Sequence, residues 1–158
     1  MTFSATFRSA AALALMTAAM TGCSAFEPEY TACPSIKAVE GAENVATKGT
    51  ILGQDIAVRL NGVAAKCVAT SSGHDLELEV GLLARRDMSS SAKTEEMKID
   101  ITLAYLDKDD NPVGRDVSSF KAYFNEFNAK SRPTFVISTE IPAGTRVIMG
   151  LGKLKDGE

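Results

Sequence analysis

Few residues in this chain combine the type and the spacing that catalysis requires. His74 is the only histidine, and Asp75 follows it directly. A catalytic base of this kind needs a nucleophile, yet the sequence contains no G-x-S-x-G and no other nucleophile signature. His74 also follows the stretch Ser71-Ser72-Gly73, which is typical of a turn. We therefore expect a surface histidine, no enzymatic activity and no cofactor.

A second candidate for chemistry is the acidic stretch that begins at Asp107. Asp107, Asp109 and Asn111 have the spacing that opens an EF-hand calcium loop. The sixth position of such a loop should be Gly and is Pro112, and the twelfth should be Glu and is Ser118. The sequence therefore predicts a solvated hairpin turn here and no metal site.

The clearest chemical signal is the stretch Met20-Thr21-Gly22-Cys23. It resembles a bacterial lipobox, in which the cysteine is lipidated and becomes the first residue of the mature protein. Residues 1–22 carry one charge, Arg8, and then an apolar run over residues 9–20, as in a signal peptide. That run is shorter than the roughly 20 residues of a membrane-spanning helix. We predict removal of residues 1–22 and diacylation of Cys23, with ordinary secretion as the alternative.

The residues around Cys23 also predict a location. One acyl chain gives only marginal membrane binding, whereas the lipobox implies two or three chains, palmitate among them, on one cysteine. Residues 24–32 would form a short polar tether that reaches at most about 30 Å. Ser24 stands where an Asp would favour retention in the inner membrane, so we expect an outer-membrane anchor with the domain facing the periplasm. The inner membrane and the cell surface are the alternatives.

Composition limits the kinds of partner. Removing residues 1–22 leaves 136 residues, enough for a single domain over residues 33–158 after the tether of residues 23–32. The removed segment carries one basic residue and no acidic one, so the net charge changes from −3 to −4. A mildly acidic chain without a basic block is not expected to bind nucleic acid.

Two cysteines remain once Cys23 is assigned to lipidation. Cys33 and Cys67 would then form an even pair in an oxidising compartment, which favours a disulfide between them. Two free thiols are the alternative. A redox site is disfavoured because there is no C-x-x-C, and a metal site because two cysteines and one histidine cannot complete it.

Alternation of apolar and polar residues predicts an all-β fold. Residues 33–39 could start the first strand, and residues 40–53 read as a loop, with a possible helical turn at 42–46. Residues 55–86 give the strongest strand signal, and residues 85–96 read as a mobile polar loop. The later segments with strand patterning or turn signals are residues 99–105, 107–114, 115–124, 134–139 and 146–151.

These segments predict an antiparallel, immunoglobulin-like β-sandwich of about seven strands. The inward-facing parity changes at Asn61-Gly62. That change indicates either a bulge in one long strand, which we favour, or a type I′ hairpin turn.

An aromatic cluster is the remaining candidate for a binding surface. Phe120, Tyr123, Phe124 and Phe127 fall within eight residues. On a strand, Phe120 and Phe124 share one face, so Tyr123 and Phe127 would point outward unless a helical turn buries all four. Core packing is one interpretation. The other is a partly exposed patch that docks a partner, because aromatic residues are enriched at interfaces.

The whole chain resembles a family of small envelope lipoproteins common in alphaproteobacteria. The shared features are the lipobox at Cys23, Cys33-Pro34, Cys67 late in a strand, an aromatic-rich hairpin over residues 99–124, and Ile141-Pro142 before a strand ending near Gly150. This resemblance supplies no catalytic residues. We expect a lipid-anchored, non-enzymatic interaction or structural subunit of an envelope complex. A lipoprotein that binds a small ligand or a polysaccharide is the alternative.

Overall fold

The computed structural model describes residues 28–88 and 93–152, which form ten strands in two sheets. No helix occurs within these residues, so none there is long and apolar enough to cross a membrane. The all-β sandwich predicted from the sequence is confirmed, and seven of the strands are five residues or longer. The strands are β1 (Tyr30–Thr31), β2 (Ile36–Ala38), β3 (Asn44–Lys48), β4 (Asp55–Ala69), β5 (Gly73–Arg86), β6 (Glu95–Leu106), β7 (Pro112–Phe124), β8 (Lys130–Ser131), β9 (Thr134–Pro142) and β10 (Arg146–Leu151).

The first sheet is built around the long antiparallel pair β4 and β5. Its residues alternate as the sequence predicts, with Leu76, Leu78 and Val80 fully buried while Glu77 and Glu79 are exposed. Two short strands share the outer edge of β4: β3 pairs near its start and β1 near its end. On the far side of β5, β9 and β8 pair one after the other.

The parity change in β4 is a β-bulge. The register shifts between Leu60 and Gly62 while β4 continues without a turn to Ala69. Gly62 has a φ of 152°, which side chains rarely adopt. Of the two alternatives at Asn61-Gly62, the bulge is therefore correct.

The second sheet has the order β2-β10-β6-β7. Its pairs are antiparallel except for β2 and β10, which are parallel. The inner faces of the two sheets enclose one core, in which the largest fully buried side chains are Phe124, Ile56, Leu76, Leu78, Leu82, Met97, Ile101, Leu103, Ile141 and Met149. This is the interdigitation expected when two sheets pack face to face.

A polar network joins the two sheets at one margin of the core. Tyr105 on β6 and Thr139 on β9 both donate to Oδ2 of Asp116 on β7, the second over 2.7 Å. Burial and the bond to Asp116 raise the pKa of Tyr105 to about 12. The hydrogen bonds from Tyr105 and Thr139 lower the pKa of Asp116. The network connects three strands from both layers.

Three segments differ from the sequence expectation. Residues 44–48, predicted as loop with a possible helical turn, form β3, because Val45 packs against the core and the edge of β4 is available for pairing. Glu95 and Glu96, predicted in a mobile loop, begin β6. Tyr30–Thr31 lies in the predicted tether, yet it pairs with Val68 and Cys67, so pairing starts before residue 33.

The strands give the sandwich two distinct ends. The chain enters at what we call the entry end, where β1 pairs with the end of β4 and Cys33 lies against Cys67. The opposite end, called the far end, holds the start of β4, the end of β5, the start of β6 and the end of β7. Ile56 and Val68 are twelve positions apart on β4, which corresponds to about 40 Å along the strand.

Candidate functional site

The aromatic segment lies at the far end and follows strand parity. Phe124 is buried, and Phe120 is half-buried with its ring stacked on Phe135 at 4.4 Å between centroids. Tyr123 is 58% exposed and Phe127 is 79% exposed. No helical turn buries them, so the outward arrangement of Tyr123 and Phe127 is the one observed.

Tyr123 is held on the outer face of the second sheet by Glu96. The two residues are register partners, and the Tyr123 hydroxyl donates to the Glu96 carboxylate. Lys121 Nζ lies 3.3 Å from Glu96 Oε1, and Thr50 Oγ1 donates to the same oxygen over 3.1 Å. The bond from Tyr123 is the main cause that lowers the pKa of Glu96, and the same bond raises the pKa of Tyr123. The ring therefore has one fixed end and one exposed face.

Phe127 sits on a turn that a buried arginine organises. The guanidinium of Arg86 donates to the carbonyl oxygens of Asn125 at 2.7 Å and Asn128 at 3.1 Å, and it lies 5.2 Å from the Phe124 ring centroid. A third bond, of 2.6 Å, reaches the Lys93 carbonyl. Arg86 occupies the same alternating positions of β5 as the buried residues of that strand. This alternation could have predicted from the sequence that Arg86 is buried.

A buried carboxylate organises the loop of residues 49–53 beside Tyr123. Glu95 is fully buried, and its carboxylate accepts from the backbone N–H of Ile51 at 2.8 Å, Leu52 at 2.9 Å and Glu96 at 3.0 Å. Gly49 makes room for it, because a Cβ at that position would lie 2.2 Å from the Glu95 carboxyl carbon. The side chains of Ile51 and Leu52 are 59% and 40% exposed.

The sequence predicted a loop over residues 40–53, but the burial of the Glu95 carboxylate was missed, although one signal for it was present. Glu95 shares strand parity with Met97, Ile99 and Ile101, all of which face the core. Extending that parity backward would have placed a carboxylate inside. The structure thus brings Ile51 and Leu52 to the same end of the sandwich as the predicted Tyr123 and Phe127.

The two cysteines of the predicted disulfide are bonded. Cys33 and Cys67, which are 34 positions apart in sequence, form the bond, with their Cα atoms 5.2 Å apart. Cys67 is buried and Cys33 packs against the core. The bond fastens the first segment to β4 at the entry end. Cys23, the predicted lipidation site, lies outside the described residues.

His74 and Asp107 lie in or beside an open cleft at the entry end. The cleft is about 560 Å³ and also contains Arg146. His74 is half-buried on β5, and its Nδ1 has no hydrogen-bond partner. It is thus less exposed than expected. Arg146 forms an ion pair with Asp110.

The Asp107 stretch forms the turn predicted for it. Asp107 Oδ1 accepts from the backbone N–H of Asp109 at 2.8 Å and of Asn111 at 2.9 Å. The bonds from Asn111 are the largest cause that lowers the pKa of Asp107. In residues 28–88 and 93–152, no three His, Cys, Asp or Glu side chains lie close enough together to hold a metal ion.

Comparison with known proteins assigns this chain to no family. No family model matches the chain, and no curated protein matches it. Among solved structures, the chain is similar to the crystal structure of a DUF1425 family member from Shewanella sp. pv-4. The identity is 12% and the TM-score 0.38, with 74% of this chain and 94% of that chain covered. The function therefore has to be inferred from the residues of this chain.

Proposed function

We propose that this chain is a lipid-anchored envelope protein that acts as a non-enzymatic interaction or structural subunit of an envelope complex. The leader and the lipobox at Cys23 support an anchor, and the resemblance to small envelope lipoproteins supports the compartment. The outer membrane, with the domain facing the periplasm, is the proposed location. The disulfide Cys33–Cys67 suits such an oxidising compartment.

The observation that carries the proposal is the placement of the exposed aromatics. Tyr123 and Phe127 are at the far end, about 40 Å along β4 from the strand that follows the tether. Seven positions separate Cys23 from Tyr30, a reach of at most about 25 Å. A domain anchored through Cys23 would present these aromatics away from the anchor, where they are accessible to another envelope protein.

The perturbed ionisable groups fit a structural role. Tyr105 and Thr139 both bind Asp116 at the margin of the core, Asp107 closes a turn, and Glu96 holds Tyr123. In each case the pKa shift accompanies hydrogen bonds that fix a strand or a loop. These shifts need no substrate to account for them.

The test combines a thermal melt with capture of the partner from detergent-solubilised membranes. Tyr123→Ala and Phe127→Ala should leave the melting temperature nearly unchanged, because exposed substitutions usually do. Each should weaken capture by about 1 kcal/mol or more, as interface anchors do. Val113→Ala is the matched control, since Val113 is 52% exposed but lies at the start of β7. A stability loss of several kcal/mol would mean that the aromatics are core residues.

The alternative, a lipoprotein that binds a small ligand or a polysaccharide, has one observation in its favour. An open cleft of about 510 Å³ on the first sheet combines the exposed ring of Tyr30 with the carboxylates of Asp75, Glu77 and Glu140. Aromatic faces and carboxylates are the groups that bind sugars. Purification as a monomer with a bound small molecule and no protein partner would favour this alternative.

A further inference from the structure

From the geometry around Glu95 we infer that Ile51 and Leu52, here called the far-end tip, form a preorganised apolar anchor that inserts into an apolar pocket of a protein partner. The inference rests on the proposed function and adds to it the residues that enter the partner. It also assigns a role to Glu95, as the positioning residue that fixes the tip.

The burial of Glu95 is costly in free energy. A carboxylate withdrawn from water is unfavourable unless hydrogen bonds compensate it. Three backbone N–H groups compensate Glu95, and two of them belong to Ile51 and Leu52 themselves. A buried charge thus fixes the backbone of two residues whose apolar side chains are in solvent. Core packing gains little from this arrangement.

The loop that carries the far-end tip is held by hydrogen bonds at its base as well. Gly49 donates to the Gln54 carbonyl over 2.8 Å and Thr50 to the Glu96 carbonyl over 2.7 Å, so the loop is closed at its base and docked on β6. The Glu95 carboxylate then holds its outer part. An apolar loop fixed before binding loses less conformational entropy when it binds, which favours affinity.

Charged residues surround the far-end tip. Ion pairs lie close to it on two sides: Lys48 with Asp55 at 2.6 Å, and Lys121 with Glu96 at 3.3 Å. An apolar centre with a polar rim is the usual anatomy of a protein–protein interface. Each pair is neutral overall, so the rim offers no net positive charge to an anionic bilayer.

The position of the tip selects a protein as the occupant. The chain preceding Tyr30 leaves the domain at the entry end, so the membrane that holds Cys23 would lie at the opposite end from the tip. Aliphatic side chains offer a polysaccharide no hydrogen bonds. An apolar pocket on a polypeptide, with Tyr123 and Phe127 making flanking contacts, matches both the chemistry and the location.

The test is site-specific photocrosslinking with the full-length chain in its native cells. A photoreactive phenylalanine analogue replaces Leu52, Phe127 or, as the control, Val113. We expect a covalent adduct at position 52 with a protein other than this chain, identified by mass spectrometry, and none at position 113. An adduct at position 127 without one at position 52 would overturn the role of the far-end tip as the anchor and leave the proposed function standing. A lipid adduct, a self-adduct or no adduct at 52 and 127 would overturn both.

The role of Glu95 is tested separately. Glu95→Gln keeps the shape of the side chain but replaces one carboxylate oxygen by an amide N–H₂, which cannot accept from the backbone N–H groups of the loop. The adduct yield at position 52 should therefore fall at least fivefold, while the yield at position 127 is retained. If that variant does not fold, amide exchange in the wild-type protein decides. The Ile51 and Leu52 amide protons should be protected at least tenfold relative to an exposed loop, and exchange at the unprotected rate would overturn the role of Glu95.

Discussion

Removing the hydroxyl of Tyr105 tests how much the polar network around Asp116 stabilises the fold. Tyr105→Phe deletes the donor to Asp116 but keeps the ring, which is 5% exposed, in place. A hydrogen bond to a charged acceptor contributes about 1.5–3 kcal/mol. Asp116 retains its bond from Thr139 and is itself exposed, so the lower end of that range applies. We expect a loss of about 1.5 kcal/mol, equivalent to about 6 °C in melting temperature for a domain of this size.

The same variant has a distinct dependence on pH. The pKa of Tyr105 is raised to about 12 in the folded protein, above the unfolded value of about 10. Its contribution to stability is therefore complete below pH 10 and is lost as the pH rises toward 12. Tyr105→Phe should remove this part of the loss of folding stability at alkaline pH. The pKa of Asp116 is lowered, so its contribution is present above its unfolded value near 4 and is lost as the pH falls through the folded value.

The assay is urea unfolding of the wild-type protein and of Tyr105→Phe at pH 7, 9, 10 and 11. Tyr123→Phe is the matched control, because it deletes the same hydroxyl from an exposed ring, and it should cost less than about 0.5 kcal/mol at pH 7. Two results would refute this explanation. One is that Tyr105→Phe unfolds at the same urea concentration as the wild-type protein. The other is that the difference in free energy of unfolding between the wild-type protein and Tyr105→Phe stays constant from pH 9 to 11.

Three further predictions concern the cysteines. The double variant Cys33→Ala/Cys67→Ala should lose about 3–4 kcal/mol in urea unfolding, because the bond closes a loop of 34 residues. Thiol labelling of the denatured, unreduced protein should find neither cysteine free, and labelling of both would contradict the bond. Cys23→Ser should abolish membrane association and leave a longer precursor on a gel. Membrane fractionation at the normal mature length would refute the lipobox interpretation.

Much of the sandwich follows from side-chain alternation. The run from Leu76 to Leu82 and the run from Ile99 to Tyr105 specify which face is buried, because a slip of one residue would turn every apolar side chain to water. The bulge at Gly62 follows from the change of parity. The outward pair Tyr123 and Phe127 follows from the same rule once the segment is recognised as a strand.

The missed features depend on contacts between distant segments. Strand β3 is short and weakly apolar, and it exists because β4 offers an unpaired edge there. Glu95 is polar, so composition assigns it to the surface. Its burial becomes favourable only when the backbone of Ile51 and Leu52, more than 40 positions away in sequence, supplies donors. Arg86 is likewise buried only because the carbonyls of the 125–129 turn receive it.

The disulfide also determines how the domain would bear a mechanical load. Consider a force applied between the N-terminal segment and the far end. At Cys33 this force passes through the disulfide into β4. It therefore does not depend on the two paired positions of β1, which would otherwise separate from β4. Strand β4 then carries the load along its length, and its thirteen paired positions with β5 share it in shear. Residues 34–54, which connect Cys33 to β4, lie outside this path and cannot extend. A domain held at one end by lipid and at the other by a partner would keep its length under tension.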